Sequence, residues 1–351
     1  MTHGKTALVI GATGMIGRHV VQALDDLDDW DTIGLARGAP DFETKAHFIA
    51  VDLSDPDSCK ANLSGLAEIT HIFFTGYTDR PTWAEQCAPN TALLVNALGV
   101  VEPVARGLRH VCLAQGSKYY GRHLGAHKTP AKEDDDRAMP PNFYYNQQDY
   151  LMELQAGKAW SWSCVRPQAV CGHALGFPLN LVPVIAVYAT ISKELGLPLR
   201  FPGKPGAYSA IYSVTDAELL ARSMVWMATE PGCANEAFNI TNGDVIRWQY
   251  TWPKIADHFG MEVGPVQEID LIHMMSDKEA LWDHIVAKHG LAANPFGKVV
   301  NWWFGNYAFG TDWDVISDTT KCRRHGFLEF VDTEEMFLRQ FDALRGIKFI
   351  P

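Results

Sequence analysis

A doubly wound parallel α/β sheet with a smaller C-terminal lobe is the fold class that this 351-residue sequence predicts. Three observations predict it. The opening stretch "TALVIGATGMIGRHVVQAL" reads as a buried strand, a Gly-rich turn and an amphipathic helix in direct succession. Short apolar runs then alternate with helix-like segments, and strands joined through helices build a parallel sheet by right-handed crossovers. Beyond about residue 173 this rhythm gives way to Pro- and Trp-rich stretches with longer helices.

The strands follow in order. After the first come "DTIGLAR", "AHFIAVDLSD", "ITHIFFTGY", "LRHVCLAQGS" and "WSCVRPQAV", each short, apolar and bounded by turn residues. Segments such as "NTALLVNALGVVEPVARGL" and "YNQQDYLMELQAGKAW" carry helical spacing between them. "EAFNIT" at 236–241 reads as a strand returning to the sheet. The expected division is a Rossmann-type core over 1–172 and about 208–244, with a substrate-binding lobe over about 173–207 and 245–351. No internal repeat or low-complexity segment interrupts it.

Composition narrows the function classes. With 47% hydrophobic and 20% charged residues the chain is of ordinary globular type, and its length suits one large domain or two interlocked ones. A net charge of −11 argues against nucleic acid or an anionic membrane as the main partner. The seven cysteines are scattered, odd in number and form no CxxC pair, which suits a reducing, cytoplasmic compartment. The chain runs straight into its first strand with no signal-peptide pattern, and its apolar stretches break well short of a membrane span. The acidic runs at 25–31 and 133–136 read as solvated surface.

"GATGMIG" sets Gly11, Gly14 and Gly17 between a strand and a helix. A tight turn there lets the backbone N–H groups around Thr13, Met15 and Ile16 approach a pyrophosphate, with the helix N-terminus favouring negative charge. The second strand ends at Ala36 and Arg37, where an acid would hold the ribose hydroxyl of NAD; a guanidinium suits the 2′-phosphate of NADPH. Asp52 and Leu53 follow the third strand, where Asp52 could meet the adenine, although a capping role for Asp52 or Asp55 is open as well. Gln115, at the end of the fifth strand, is also expected at the cofactor.

"NFYYNQQDY", residues 142–150, has the look of a dehydrogenase tyrosine segment, in which a Lys usually stands four residues after the Tyr. Counting four from Tyr145 reaches Asp149, and from Tyr144 reaches Gln148; neither is a cation. "GSKYYG", at the end of the fifth strand, brings Lys118 out beside the face that this helix would present, so a lysine from the neighbouring loop is expected to replace the absent one. His123 and His127 have the four-residue spacing of a zinc pair. No Glu follows His123, and two glycines and Pro130 interrupt the segment, so no metal is expected.

Together "LAQGSKYYG" and "NFYYNQQD" resemble the paired motifs of the progesterone 5β-reductase/iridoid synthase-like enzymes, a divergent branch of the extended short-chain dehydrogenases. The likeness continues through "RPQAVCG", "EAFNITNGDVIRW", "NWWFG" and "HGFLEF" to the final "KFIP". The resemblance implies NADPH-dependent 1,4-reduction of an enone or enal, with Lys118 and Tyr145 matching the catalytic pair and stabilising the enolate oxygen. In that reading Lys118 favours the ionised form of Tyr145, and Tyr144 packs away from the cofactor. It also implies that Tyr77 stands where a tryptophan usually borders the substrate and that Phe304 crowds the same pocket. The sequence departs from the pattern at Gly38, where a second basic residue often follows the one matching Arg37. It departs again at Gly116, where other extended members carry a hydroxyl. Two rivals remain: carbonyl (1,2-) reduction by the same residues, and a non-catalytic NADP(H) sensor. A small enone or enal is the expected partner, with a homodimer left open.

Overall fold

Seven parallel strands carry the fold. The computed structural model describes residues 4–172, 174, 177 and 179–351; the boundary expected at residue 173 lies outside them. In chain order the strands are β1 (Lys5–Ile10), β2 (Trp30–Ala36), β3 (His47–Ala50), β4 (His71–Phe74), β5 (His110–Ala114), β6 (Ser161–Pro167), β7 (Ala169–Cys171), β8 (Val214–Asp216) and β9 (Glu236–Ile240). The main sheet has the order β3-β2-β1-β4-β5-β6-β9, and every neighbouring pair is parallel. The doubly wound sheet expected from the sequence is therefore present.

The chain clusters into two compact units. One comprises Met1–Pro167, Ala217–Ile240 and Asp318–Leu328; the other comprises Gln168–Asp216, Thr241–Ser317 and Glu329–Pro351. In the first unit the central strands are buried on both faces, which is why they read as continuous apolar runs. Leu8, Ile10, Ile72, Phe74, Val111 and Leu113 share one core with Leu94, Ala97, Leu98 and Val101 of α3 (Trp83–Val104). The alternate residues Ala7, Val9, Phe73 and Cys112 are equally buried. The helices α1 (Met15–Asp25), α2 (Pro56–Leu63) and α4 (Phe143–Gln155) complete the layers with α3, α1 packing on the helix Ala217–Thr229 and α4 on α3.

β1 lies between β2 and β4, so the chain winds outward to β3 and then returns to start again at β4. That reversal opens a crevice at the carboxyl ends of β1 and β4, where ligands bind in open α/β sheets.

The segment "WSCVRPQAV" is not one strand. β6 ends at Pro167, which has no N–H to extend a ladder, and the next amide, of Gln168, donates to Thr215 Oγ1 at 3.1 Å. β7 pairs instead with β8 in the second unit. That unit holds an aromatic core in which Phe201, Trp248, Trp252 and Phe309 meet mostly edge to face. No helix of the described residues is long and apolar enough to cross a membrane.

Candidate active site

The Gly-rich turn is built for close approach. Gly11 has φ +82°, and a Cβ there would lie 3.0 Å from the Gly76 N at the end of β4. A Cβ on Gly17 would meet the Gly11 carbonyl oxygen at 2.2 Å, so the turn and the first helical turn can pack only as glycines. Gly14 is the N-cap of α1 and no side chain caps it, which leaves the first-turn amides of Met15, Ile16 and Gly17 to an outside acceptor. Thr13, Gly14, Met15 and Ile16 are half-buried around that point. A dinucleotide pyrophosphate fits this cradle.

At the end of β2, Ala36 is buried and Arg37 is exposed. Asp52 is also exposed. Its carboxylate accepts from the Ser54 N–H at 2.9 Å and from the Ser54 hydroxyl at 2.7 Å, and these bonds, with the charge of Arg37, hold its pKa below the usual range. Of the two acids weighed for capping, Asp55 is the N-cap of α2, and Asp52 forms the turn before it. The half-buried Leu53 accepts from Asn96 Nδ2 at 2.9 Å through its carbonyl.

Lys118 stands on a short 3₁₀ turn, Ser117–Tyr120, directly after β5. Its ammonium lies 4.0 Å from the ring centroid of Trp83, the first residue of α3, in a cation–π contact. Burial lowers its pKa to about 8; the negative Asp79 opposes that shift and Arg122 adds to it. Asp79 accepts from the Tyr77 hydroxyl at 2.8 Å and from Gln86 Nε2 at 3.1 Å, which ties the loop before α3 to that helix. Tyr77 is half-buried against Phe143, and burial raises its phenol, the Asp79 bond next. His123 packs edge-on to Trp83 at 5.0 Å, and burial followed by the Lys118 charge lowers its pKa to about 4. It is therefore neutral near pH 7. Among the described residues no group of three or more His, Cys, Asp or Glu is arranged to hold a metal ion.

The two tyrosines of α4 part company. Tyr145 is buried beside Tyr119, Tyr120 and Ala131. Its hydroxyl donates to the Tyr119 carbonyl at 2.6 Å and accepts from the Ala138 N–H at 2.8 Å. A phenol has one proton, and here a backbone carbonyl takes it. Burial raises the Tyr145 pKa, so the ionised form expected from the sequence is disfavoured in this environment. Tyr144 does not pack away. A Cβ placed on Gly116 would lie 3.2 Å from the Tyr144 hydroxyl and 3.6 Å from the Pro167 carbonyl oxygen, which puts that hydroxyl at the carboxyl ends of β5 and β6. The placement expected for the pair from sequence is thereby corrected: adjacent helical residues diverge by about 100°, and the face nearer the strand ends belongs to Tyr144. Burial raises the Tyr144 phenol as well, so it stays protonated near pH 7.

The positions without lysine have other uses. Asp149 is exposed and holds Arg137 through two bonds of 2.6 and 2.8 Å. Gln148 is buried and accepts from Arg166 Nη2 at 3.2 Å. Arg166, missed in the sequence, is 1% exposed, donates to Gln115 Oε1 at 2.9 Å and lies 3.3 Å over the Tyr119 ring. Its signal was a lone cation inside an apolar strand. Gln115, expected at the cofactor, belongs to this network: its amide donates to Gln148 Oε1 at 3.2 Å and to the Tyr144 carbonyl at 3.1 Å. Phe304 lies in the second unit, on the helix Trp302–Phe309, buried in the core and stacked 6.2 Å from Tyr307.

A doubly wound sheet with a Gly-rich first turn and a tyrosine helix against the end of β5 defines a short-chain dehydrogenase/reductase fold. Solved structures bear out the fold. UDP-glucose 4-epimerase of Thermotoga maritima matches with TM-score 0.70 and 16% identity, over 97% of this chain and 99% of that one. A short-chain dehydrogenase/reductase superfamily protein of Agrobacterium tumefaciens, solved with bound NAD, matches with TM-score 0.69 and 14% identity, over 98% of each chain. Residues 51–351 match the family described as a PRISE-like Rossmann-fold domain, and the chain belongs to that family. Among its relatives, an (S)-8-oxocitronellyl enol synthase of Nepeta racemosa is 36% identical, over 99% of this chain and 93% of its own length. A 3-oxo-Delta(4,5)-steroid 5-beta-reductase of Arabidopsis thaliana is 33% identical over the same shares. A short chain dehydrogenase of Penicillium aethiopicum is 32% identical over 99% of both chains.

Proposed function

We propose that this protein is an NADPH-dependent oxidoreductase that reduces activated C=C bonds, with Tyr144 and Lys118 acting on the substrate carbonyl oxygen. The observation that carries the reading is the Tyr144 hydroxyl beside Gly116, at the strand ends where the Lys118 turn also begins. Relatives whose names describe an enol synthase and a steroid 5-beta-reductase support the same chemistry.

The Gly11–Gly17 turn would hold the NADPH pyrophosphate and Arg37 would meet its 2′-phosphate; the cofactor, when bound, would supply hydride for the β-carbon of an enone or enal. Negative charge then gathers on the carbonyl oxygen. The Tyr144 hydroxyl donates to that oxygen, and the Lys118 ammonium, held on the Trp83 face, adds a full positive charge nearby. Both donors are positioned before charge develops, so little reorganisation is needed. Transfer of the Tyr144 proton to the oxygen would release an enol, which then becomes the saturated carbonyl. Tyr77 is proposed as a wall of the substrate site.

The protonated state of Tyr144 also suits 1,2-reduction, in which the same phenol protonates an alkoxide. Products decide between the two. NADPH oxidation is followed across a panel of cyclic enones, linear enals and dialdehydes, with the products identified by mass spectrometry. Saturated carbonyls or enols are expected; allylic alcohols would make the protein a carbonyl reductase. Tight NADPH binding without turnover on any panel member would leave it a sensor.

A further inference from the structure

Asn142 bonds in two directions. Its Oδ1 accepts from the Tyr144 N–H at 3.0 Å, capping α4, and its Nδ2 donates to the Lys118 carbonyl at 2.8 Å. The residue is 6% exposed, so water competes little for either bond. The Tyr144 peptide is gripped from its other end by Gln115, whose amide reaches the carbonyl at 3.1 Å and is itself oriented by Arg166.

We propose that Asn142 is a positioning residue that couples Lys118 to Tyr144 and so sets the separation between ammonium and hydroxyl. The inference rests on the reading that those two residues act on one oxygen.

Capping alone does not account for the amide. Asp55, Asp270 and Asp332 cap other helices of this chain with a carboxylate, and Asp would serve at 142 for the same purpose. Only the amide both accepts from Tyr144 and donates to Lys118. Within the Lys118 turn, Tyr119 N–H donates to the Gly116 carbonyl at 2.9 Å and Gly121 N–H to the Lys118 carbonyl at 3.1 Å. The residues after Lys118 are held from outside the turn, Tyr119 by the Tyr145 hydroxyl on its carbonyl at 2.6 Å and Tyr120 by Arg166 at 3.1 Å, whereas the bond from Asn142 falls on Lys118 itself. Because Gly121 still satisfies the Lys118 carbonyl, losing the Asn142 donor leaves no orphaned acceptor. What is lost is the tie from the start of α4 to Lys118 itself.

The test uses Asn142→Asp, which keeps the cap and removes the donor, and Asn142→Ser, whose oxygen caps but is too short to reach Lys118. In each, kcat is measured per NADPH-binding site, alongside NADPH affinity and the thermal midpoint. A Lys118→Met and Tyr144→Phe double-mutant cycle is run in the parent and in both variants. The expected result is an unchanged NADPH affinity and a kcat lower by roughly 10- to 100-fold, as small misplacements produce. The melting temperature should stay close to the parent in Asn142→Ser but be lower in Asn142→Asp, whose second carboxylate oxygen faces the Lys118 carbonyl. The Lys118–Tyr144 coupling seen in the parent should vanish. A kcat equal to the parent's in both variants overturns the inference, and so does a coupling that persists. If Lys118→Met and Tyr144→Phe each lose kcat in the parent while Asn142→Asp does not, only the positioning role fails. If either single variant keeps parent kcat, the pair reading fails and takes this inference with it.

Discussion

Replacing Tyr144 or Tyr145 by Phe removes one oxygen in either case, yet the two variants should fail differently. Tyr144 holds its hydroxyl at the ends of β5 and β6, where its loss deprives the developing oxyanion of a donor. Comparable losses cost about 100- to 1,000-fold in kcat, or roughly 3–4 kcal/mol. Tyr145→Phe strips the partner from the buried Tyr119 carbonyl and from the Ala138 N–H, which is only half-buried. An orphaned buried group costs about 1–3 kcal/mol, so the sum is about 2–4 kcal/mol of stability. At about 2–4 °C per kcal/mol for chains of a couple of hundred residues, a fall of several degrees in melting temperature is expected. The assay is paired: steady-state kcat and NADPH KM per binding-competent site, and a thermal melt on the same preparation. Tyr144→Phe should lose kcat with an unchanged melt, and Tyr145→Phe should lose melting temperature with kcat within a few-fold of the parent. The opposite pattern, in which Tyr145→Phe loses kcat without a change in melt and Tyr144→Phe is near normal, would refute the reasoning.

Other outcomes follow from the same structure. Because burial lowers Lys118 to about pKa 8, kcat should fall as pH rises through about 8, and Lys118→Arg, charged throughout, should lose that basic limb; a limb that survives the substitution would assign it to another group. Arg37→Ala should raise KM for NADPH by about one to two decades and leave KM for NADH nearly unchanged, as expected for a lost charge-assisted contact; equal effects on both would remove Arg37 from the 2′-phosphate. His71 and His110 are buried and neutral, lowered to about 4 and about 3 chiefly by burial. Their folded pKa values lie below the unfolded value of about 6.5, so their contribution to stability is complete above that pH and is lost as pH falls toward the folded values. These two protons give a slope of roughly 3 kcal/mol per pH unit, to which His123 adds in the same direction, so melting temperature should drop between about pH 6.5 and pH 5, before most carboxylates titrate. A flat melt over that window would contradict it.

The parts of the fold carried by local pattern were legible before the structure. The strand–glycine–helix opening, the alternation behind it and the family likeness of the Lys118 loop and tyrosine segment all survive. Choices made by tertiary contact were not legible. Which of two adjacent tyrosines faces the strand ends depends on how α4 is seated, and Asn142 and Gln115 seat it through bonds between distant segments. Arg166 looked like one charge in an apolar run, and nothing local reveals that its partners are Gln115, Tyr120 and Gln148. The break at Pro167 was hidden because both halves of "WSCVRPQAV" have strand composition, and only the partner strands differ. Trp83 went unnoticed because an aromatic at the start of a helix ordinarily signals packing, not a seat for a cation.

In the usual arrangement one helix acts as a covalent ruler: four residues of rise, about 6 Å, fix how far the tyrosine and lysine stand along its axis. In the proposed pair that ruler is gone, because Lys118 stands on the turn after β5 and Tyr144 on α4. Their spacing is a property of how two elements are assembled. Substitutions that touch neither residue can therefore retune it, toward faster or slower chemistry, wherever they shift that turn against that helix. It also means that grafting the tyrosine segment alone onto another scaffold would transfer a phenol without its charge. A transplant that works must carry three separated stretches of chain: the loop that seats Trp83, the Lys118 turn and the start of α4.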